Sequence, residues 1–76
     1  MKLKNVKVGQ TVKVKKALHT TNIMATFSPN TVGLIGTVAC VESVDYKYDL
    51  TVCVTFPNGE TDWGNHKDIK LIEDVD

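Results

Sequence analysis

The sequence predicts an all-β domain: five short strands in a meander, with a long first loop and a short helical turn before the last strand. Three observations carry this expectation. Thr11-Val12-Lys13-Val14-Lys15 and Leu50-Thr51-Val52-Cys53-Val54-Thr55-Phe56 alternate apolar and polar residues with the period of 2 that a half-buried strand requires. Pro57-Asn58-Gly59-Glu60 after the second run is a strong hairpin turn. The stretch 33–63 as a whole reads as three strands joined by two tight connections, with glycines ahead of the first strand and in the last turn.

Taken in order, residues 1–8 form an extended lead-in whose apolar candidates are Leu3, Val6 and Val8, and Val8-Gly9-Gln10 breaks it. The first core strand follows over 11–15, with Val12 and Val14 inward and Thr11, Lys13 and Lys15 outward. Residues 17–32 have neither a strand nor a helix period. Helix is disfavoured by Thr20, Thr21, Ile23, Thr26 and Thr31 and by Pro29. A loop of about 16 residues is long for a small domain, and loops of that size are usually functional or disordered. Its apolar Ile23, Met24 and Phe27 either fold back on the sheet or form a binding surface. Ser28-Pro29-Asn30 turns the chain back.

Gly33-Leu34-Ile35-Gly36 leads into a second strand over 37–41, with Val38 and Cys40 inward, or with a bulge after Ala39 that brings Val41 in instead. Residues 42–49 form a polar connection tipped by Tyr46 and Tyr48. In the strand over 50–56, Leu50, Val52, Val54 and Phe56 face inward, which points Cys53 outward. A type I′ turn with Asn58-Gly59 at its centre sets Phe56 opposite Thr61 and Val54 opposite Trp63, leaving the indole partly exposed. Gly64 ends this strand, residues 65–69 suit one helical turn, and Lys70-Leu71-Ile72 closes the sheet before a frayed tail over 73–76.

The 76 residues make one domain, 1–76, which buries roughly 60% of its unfolded surface. Hydrophobic residues at 42% and charged ones at 24%, without a low-complexity tract, favour a globular fold over disorder. No apolar run approaches the roughly 20 residues that span a bilayer. MKLKNVKVG is basic but lacks the apolar core of a signal peptide behind it, so a cytoplasmic protein without a membrane segment is expected. Cys40 and Cys53, expected on opposite faces, are then two reduced thiols. With His19 and His66 they lack the paired spacing of a zinc site, and no metal is expected.

Net charge is zero, yet its distribution is lopsided. Residues 1–20 carry six lysines and no acid, whereas residues 21–76 carry three lysines against nine acids, and arginine is absent. The lysines of the first strand serve either as a solvated face that protects a sheet edge or as a basic patch. Without arginine's planar fork, base-specific and bidentate phosphate recognition lose their usual tool.

The pattern VGxxVxV, GxV, VxVxF, NGE, W and DIxLI is carried by Val8 to Val14, Gly36 to Val38, Val52 to Phe56, Asn58 to Glu60, Trp63 and Asp68 to Ile72. It resembles the five-stranded SH3-like small barrel over nearly the whole chain. It is similar to KOW-type modules of transcription and translation factors, to the variable chain of ferredoxin-thioredoxin reductase, to a small stromal subunit of photosystem I and to stand-alone SH3-like proteins of bacteria and their phages. The KOW resemblance implies nucleic-acid contacts around the first loop, which here map onto Lys13, Lys15, Lys16 and His19.

Neither histidine sits in a catalytic motif, and the interior of so small a barrel is filled by side chains, so neither catalysis nor a cofactor is expected. The leading expectation is a protein-interaction module, a small bacterial or phage accessory or regulatory protein, acting as a monomer or weak homo-oligomer. Ile23, Met24, Phe27, Tyr46, Tyr48 and Trp63 supply the aromatic and methionine side chains that interface cores favour. The same residues would equally complete a core too small to close itself. The alternative is a KOW-like nucleic-acid-binding module that uses the four basic positions.

Overall fold

A computed structural model describes residues 1–16, 27–42 and 50–75. Its strands are β1 (Thr11–Val14), β2 (Ile35–Val41), β3 (Val52–Thr55), β4 (Thr61–Gly64) and β5 (Ile69–Glu73). They form one antiparallel sheet of order β4-β3-β2-β1-β5, so the chain's first strand lies beside its last, and β4 and β5 are the edges. Among the described residues the only helical pieces are 3₁₀ turns at Leu3–Asn5, Pro29–Thr31 and His66–Asp68. None is long and apolar enough to cross a membrane.

The core lies on the inner face, where the period-2 pattern aims it. Val12 and Val14 of β1, Val38 of β2, Val52, Val54 and Phe56 of the β3 arm, and Ile69 of β5 form one buried cluster with Val6 and Phe27. Among the described residues of the long first segment, Phe27 reaches this cluster. It is 2% exposed, and its ring lies against Gly64, where any β-carbon would collide with it. Of the two readings left open for Phe27, the structure shows the one that folds back on the sheet, and its place among binding residues is corrected: a small sheet gains more from a buried phenyl ring than from presenting one to water.

Asp62 holds that segment in place. Its carboxylate accepts from the Ser28 N–H at 2.8 Å and from the Thr31 hydroxyl at 3.1 Å, fastening the turn around Pro29 to β4. At the other end of the chain Gln10, fully buried, accepts from the Lys7 N–H and donates to the Asn5 carbonyl and to the Asp74 carboxylate at 2.9 Å. Glu73 belongs to β5 and Asp74 is tied to Gln10, so the expected frayed stretch is anchored at these two residues.

The β3–β4 hairpin differs from expectation by one residue. Thr55 pairs with Thr61, Val54 with Asp62, Cys53 with Trp63 and Val52 with Gly64. Proline explains the shift. A two-residue turn over Asn58-Gly59 would require position 57 to donate a backbone hydrogen bond, and Pro57 has no N–H. Phe56 makes that bond instead, to the Glu60 carbonyl at 2.8 Å. The turn is then a three-residue loop, closed by Gly59 N–H to the Phe56 carbonyl at 2.9 Å, with Gly59 in the left-handed region at φ 88°. A one-residue slip exchanges faces, which puts Gly64 on the inner side under Phe27 and Trp63 on the outer side.

A second irregularity corrects the cysteines. Between β2 and β3 the register passes from Val38 opposite Val54 to Cys40 opposite Cys53, leaving Ala39 unpaired in a bulge. Val41, not Cys40, packs against the core. Cys40 thereby turns to the outer face and lies directly opposite Cys53, so the two cysteines share a face. Cys53 points outward as expected but is only 5% exposed.

Candidate functional site

The outer face of the sheet is organised in three rows that run across the strands. At one end Ile35 of β2, Lys13 of β1 and Lys70 of β5 are successive cross-strand partners. In the middle Thr61, Thr55, Thr37 and Thr11 align over four strands, ending at Glu73 of β5. At the other end Cys40, Cys53 and Trp63 align over β2, β3 and β4. All three rows follow from the period of 2, once the bulge at Ala39, the hairpin register and the register shift between Thr11 and Val12 along β5 are in place.

The first row is electrostatically unusual. Lys13 and Lys70 lie directly opposite each other, both exposed, and like charges in that position destabilise a sheet. Lys15 continues the same side of the chain beyond β1, its backbone N–H bonded to the Asp68 carbonyl at 2.7 Å, and Lys16 follows, also exposed. Ile35, 47% exposed, stands beside Lys13. Several acids that balance these lysines in the net charge are engaged internally. Asp62 holds the Ser28–Thr31 turn, Asp74 caps Gln10, and Asp68 is buried. The hydrogen bonds from Gln10 and from the Val75 N–H hold the Asp74 carboxyl below its ordinary range.

The middle row offers hydroxyls. Thr55 and Thr61 Oγ1 atoms lie 3.1 Å apart. Thr11, Thr37 and Thr55 border a shallow depression of about 280 Å³ together with Ile35 and Pro57. This surface presents ammonium groups, hydroxyls and a small apolar floor, with Glu73 as the acid at its margin. Such a set binds anions and uncharged polar groups without a fixed geometry.

The third row is packed more tightly. Trp63 is 37% exposed on edge strand β4. Burial, and then the neighbouring Cys40 thiol, push the Cys53 thiol up to about 12, so it rests protonated. Nearby, His66 is held by the residue just before β3: Thr51 Oγ1 accepts from its backbone N–H at 2.8 Å and lies 2.9 Å from Nδ1. Asn65 caps the following 3₁₀ turn by accepting from the Lys67 N–H at 2.9 Å.

Of the positions expected from sequence to bind protein, Trp63 is exposed and Phe27 is core, while Ile23, Met24, Tyr46 and Tyr48 lie outside the described residues. Of the basic set, Lys13, Lys15 and Lys16 are exposed and His19 lies outside the described residues. Sequence inspection missed Lys70, which the β1–β5 pairing brings beside Lys13, and the threonine row. Only the strand order could have revealed either, because their members are scattered from residue 11 to residue 70. No protein-family model, curated protein or solved structure matches the chain.

Proposed function

We propose that this chain is a non-catalytic nucleic-acid-binding module, an SH3-like small barrel whose outer sheet face takes the phosphate backbone across Lys13, Lys15 and Lys70. The barrel reading is supported by the strand order, by β1 lying between β2 and β5, and by the 3₁₀ turn immediately before the last strand. The observation that carries the ligand class is the opposed pair of Lys13 and Lys70. A sheet that tolerates this repulsion gains most from a ligand that supplies the missing negative charge. Threonine hydroxyls next to the pair add hydrogen bonds to phosphate or sugar oxygens, which position a nucleic acid without reading its sequence. With no arginine in the chain, lysine point charges would carry the backbone contacts, and neither base edges nor bidentate phosphate contacts have their usual reader.

The test is a titration with single- and double-stranded DNA and RNA at two salt concentrations. Three phosphate contacts correspond to a slope of log K against log salt of roughly −2 to −3. Lys13→Glu should abolish binding to all four nucleic acids alike. Absence of binding at low salt ends this reading.

A second reading, a protein-docking module, is favoured by one observation: Trp63 is a large aromatic exposed on edge strand β4. It predicts that affinity capture with nuclease-treated lysate retains a partner from wild-type protein and loses it with Trp63→Ala, while Lys13→Glu leaves capture intact.

A further inference from the structure

We propose that Cys40 and Cys53 are a redox-modifiable dithiol that closes into an intramolecular disulfide across β2 and β3 when the protein meets a low-molecular-weight disulfide. Both are free cysteines and cross-strand partners. Two residues along the same register the Glu42 N–H bonds to the Thr51 carbonyl at 2.8 Å, which makes the cysteine positions a hydrogen-bonded pair. The Cα atoms of such a pair are about 5.5 Å apart, inside the disulfide range. The bulge at Ala39 turns both side chains to one face, directly opposite each other. In a regular strand without that bulge the pairing would not exist.

The two thiols have different roles. Cys40 is half-buried and open to a reagent, whereas Cys53 is enclosed and rests as the thiol. The Cys40 thiolate attacks one sulfur of the reagent disulfide, forming a mixed disulfide and releasing one reagent thiolate. Cys53 then gives its proton to solvent, its sulfur attacks Cys40 Sγ, and the second reagent thiolate leaves. Two protein thiols are oxidised and one reagent disulfide is reduced to two thiols. Trp63, the single tryptophan, lies opposite Cys53 and reports closure. Thr55 and Thr61 in contact and the Phe56–Glu60 bond make Cys53 and Trp63 a non-hydrogen-bonded pair, with their side chains at closest approach.

The experiment treats the reduced, folded chain with glutathione disulfide and follows intact mass, free thiols after denaturation, and tryptophan fluorescence. The proposal expects loss of two hydrogens, no bound glutathione, no free thiol, quenched fluorescence, and a Tm raised by roughly 10 °C that dithiothreitol reverses. Cys40→Ser should abolish closure. Because Cys40 is only half-buried, this variant is expected to fold even where a Cys53 substitution would not. A wild-type product that stops at glutathionylated Cys40, forms a covalent dimer, or does not react overturns the proposal.

Discussion

Strands β1 and β3 have similar alternating sequences and opposite surroundings. In β1 the outward residues Lys13 and, just beyond it, Lys15 are open to water, while Val12 and Val14 are buried. In β3, Val52, Cys53 and Val54 are all buried, and Thr51 just before them is fully buried as well. Both strands are flanked on each side, β1 by β2 and β5, β3 by β2 and β4. The difference therefore lies in what stands on the outer face. Beside Cys53 are Cys40 and Trp63, apolar enough to exclude water. Beside Lys13 are Ile35 and a second lysine. Alternation decides which way a side chain points, and the neighbours decide whether that direction ends in solvent.

Four changes break or sharpen this contrast. The largest is Phe27→Ala, which removes the ring that closes the inner side against Gly64 and should cost about 3–5 kcal/mol in denaturant unfolding, enough to unfold a marginal domain. Equal stability of wild type and variant would place Phe27 outside the core. Gly64→Ala attacks the same contact from β4. The added methyl meets the phenyl ring, and overpacking of this kind costs about 1–3 kcal/mol, so the double variant with Phe27→Ala should cost less than the sum of the two.

On the open side Lys70→Glu converts the opposed lysines into an opposite-charge pair. Stability should rise by roughly 0.2–1 kcal/mol while nucleic-acid affinity falls. A change that lowers both would mean that Lys70 has a structural role instead. The smallest effect is on pH dependence. Asp74 carries a depressed folded-state pKa, so its bond to Gln10 contributes stability that is present above the unfolded carboxyl value of about 4 and is lost as pH falls through the lower folded value. Asp74→Asn should flatten that part of the acid limb of a stability-versus-pH curve, and an unchanged limb would show that other carboxylates govern it.

Much of the fold was legible because the strands obey one period. The inward valines, the turn at Asn58-Gly59, the 3₁₀ turn after Asn65 and the last strand all stand near where the sequence puts them. The site was less legible. Lys13 and Lys15 were visible as outward residues, but their partner Lys70 is more than fifty positions away and carries no motif. For Phe27 the sequence left burial and a binding surface both open, since nothing local to it indicates that a glycine at position 64 leaves room for its ring.

The sequence by itself therefore determined the strand faces and the all-β character, because side-chain alternation and turn chemistry act over a few residues. Tertiary structure alone decided the hairpin register, the bulge at Ala39 and the strand order, and through them which outward residues meet. Pro57's missing N–H moves β4 by one residue, and the unpaired Ala39 turns Cys40 over. Each is a single-residue effect whose consequence appears only when a second strand is laid alongside, and together they assemble the lysine pair, the threonine row and the dithiol on one face.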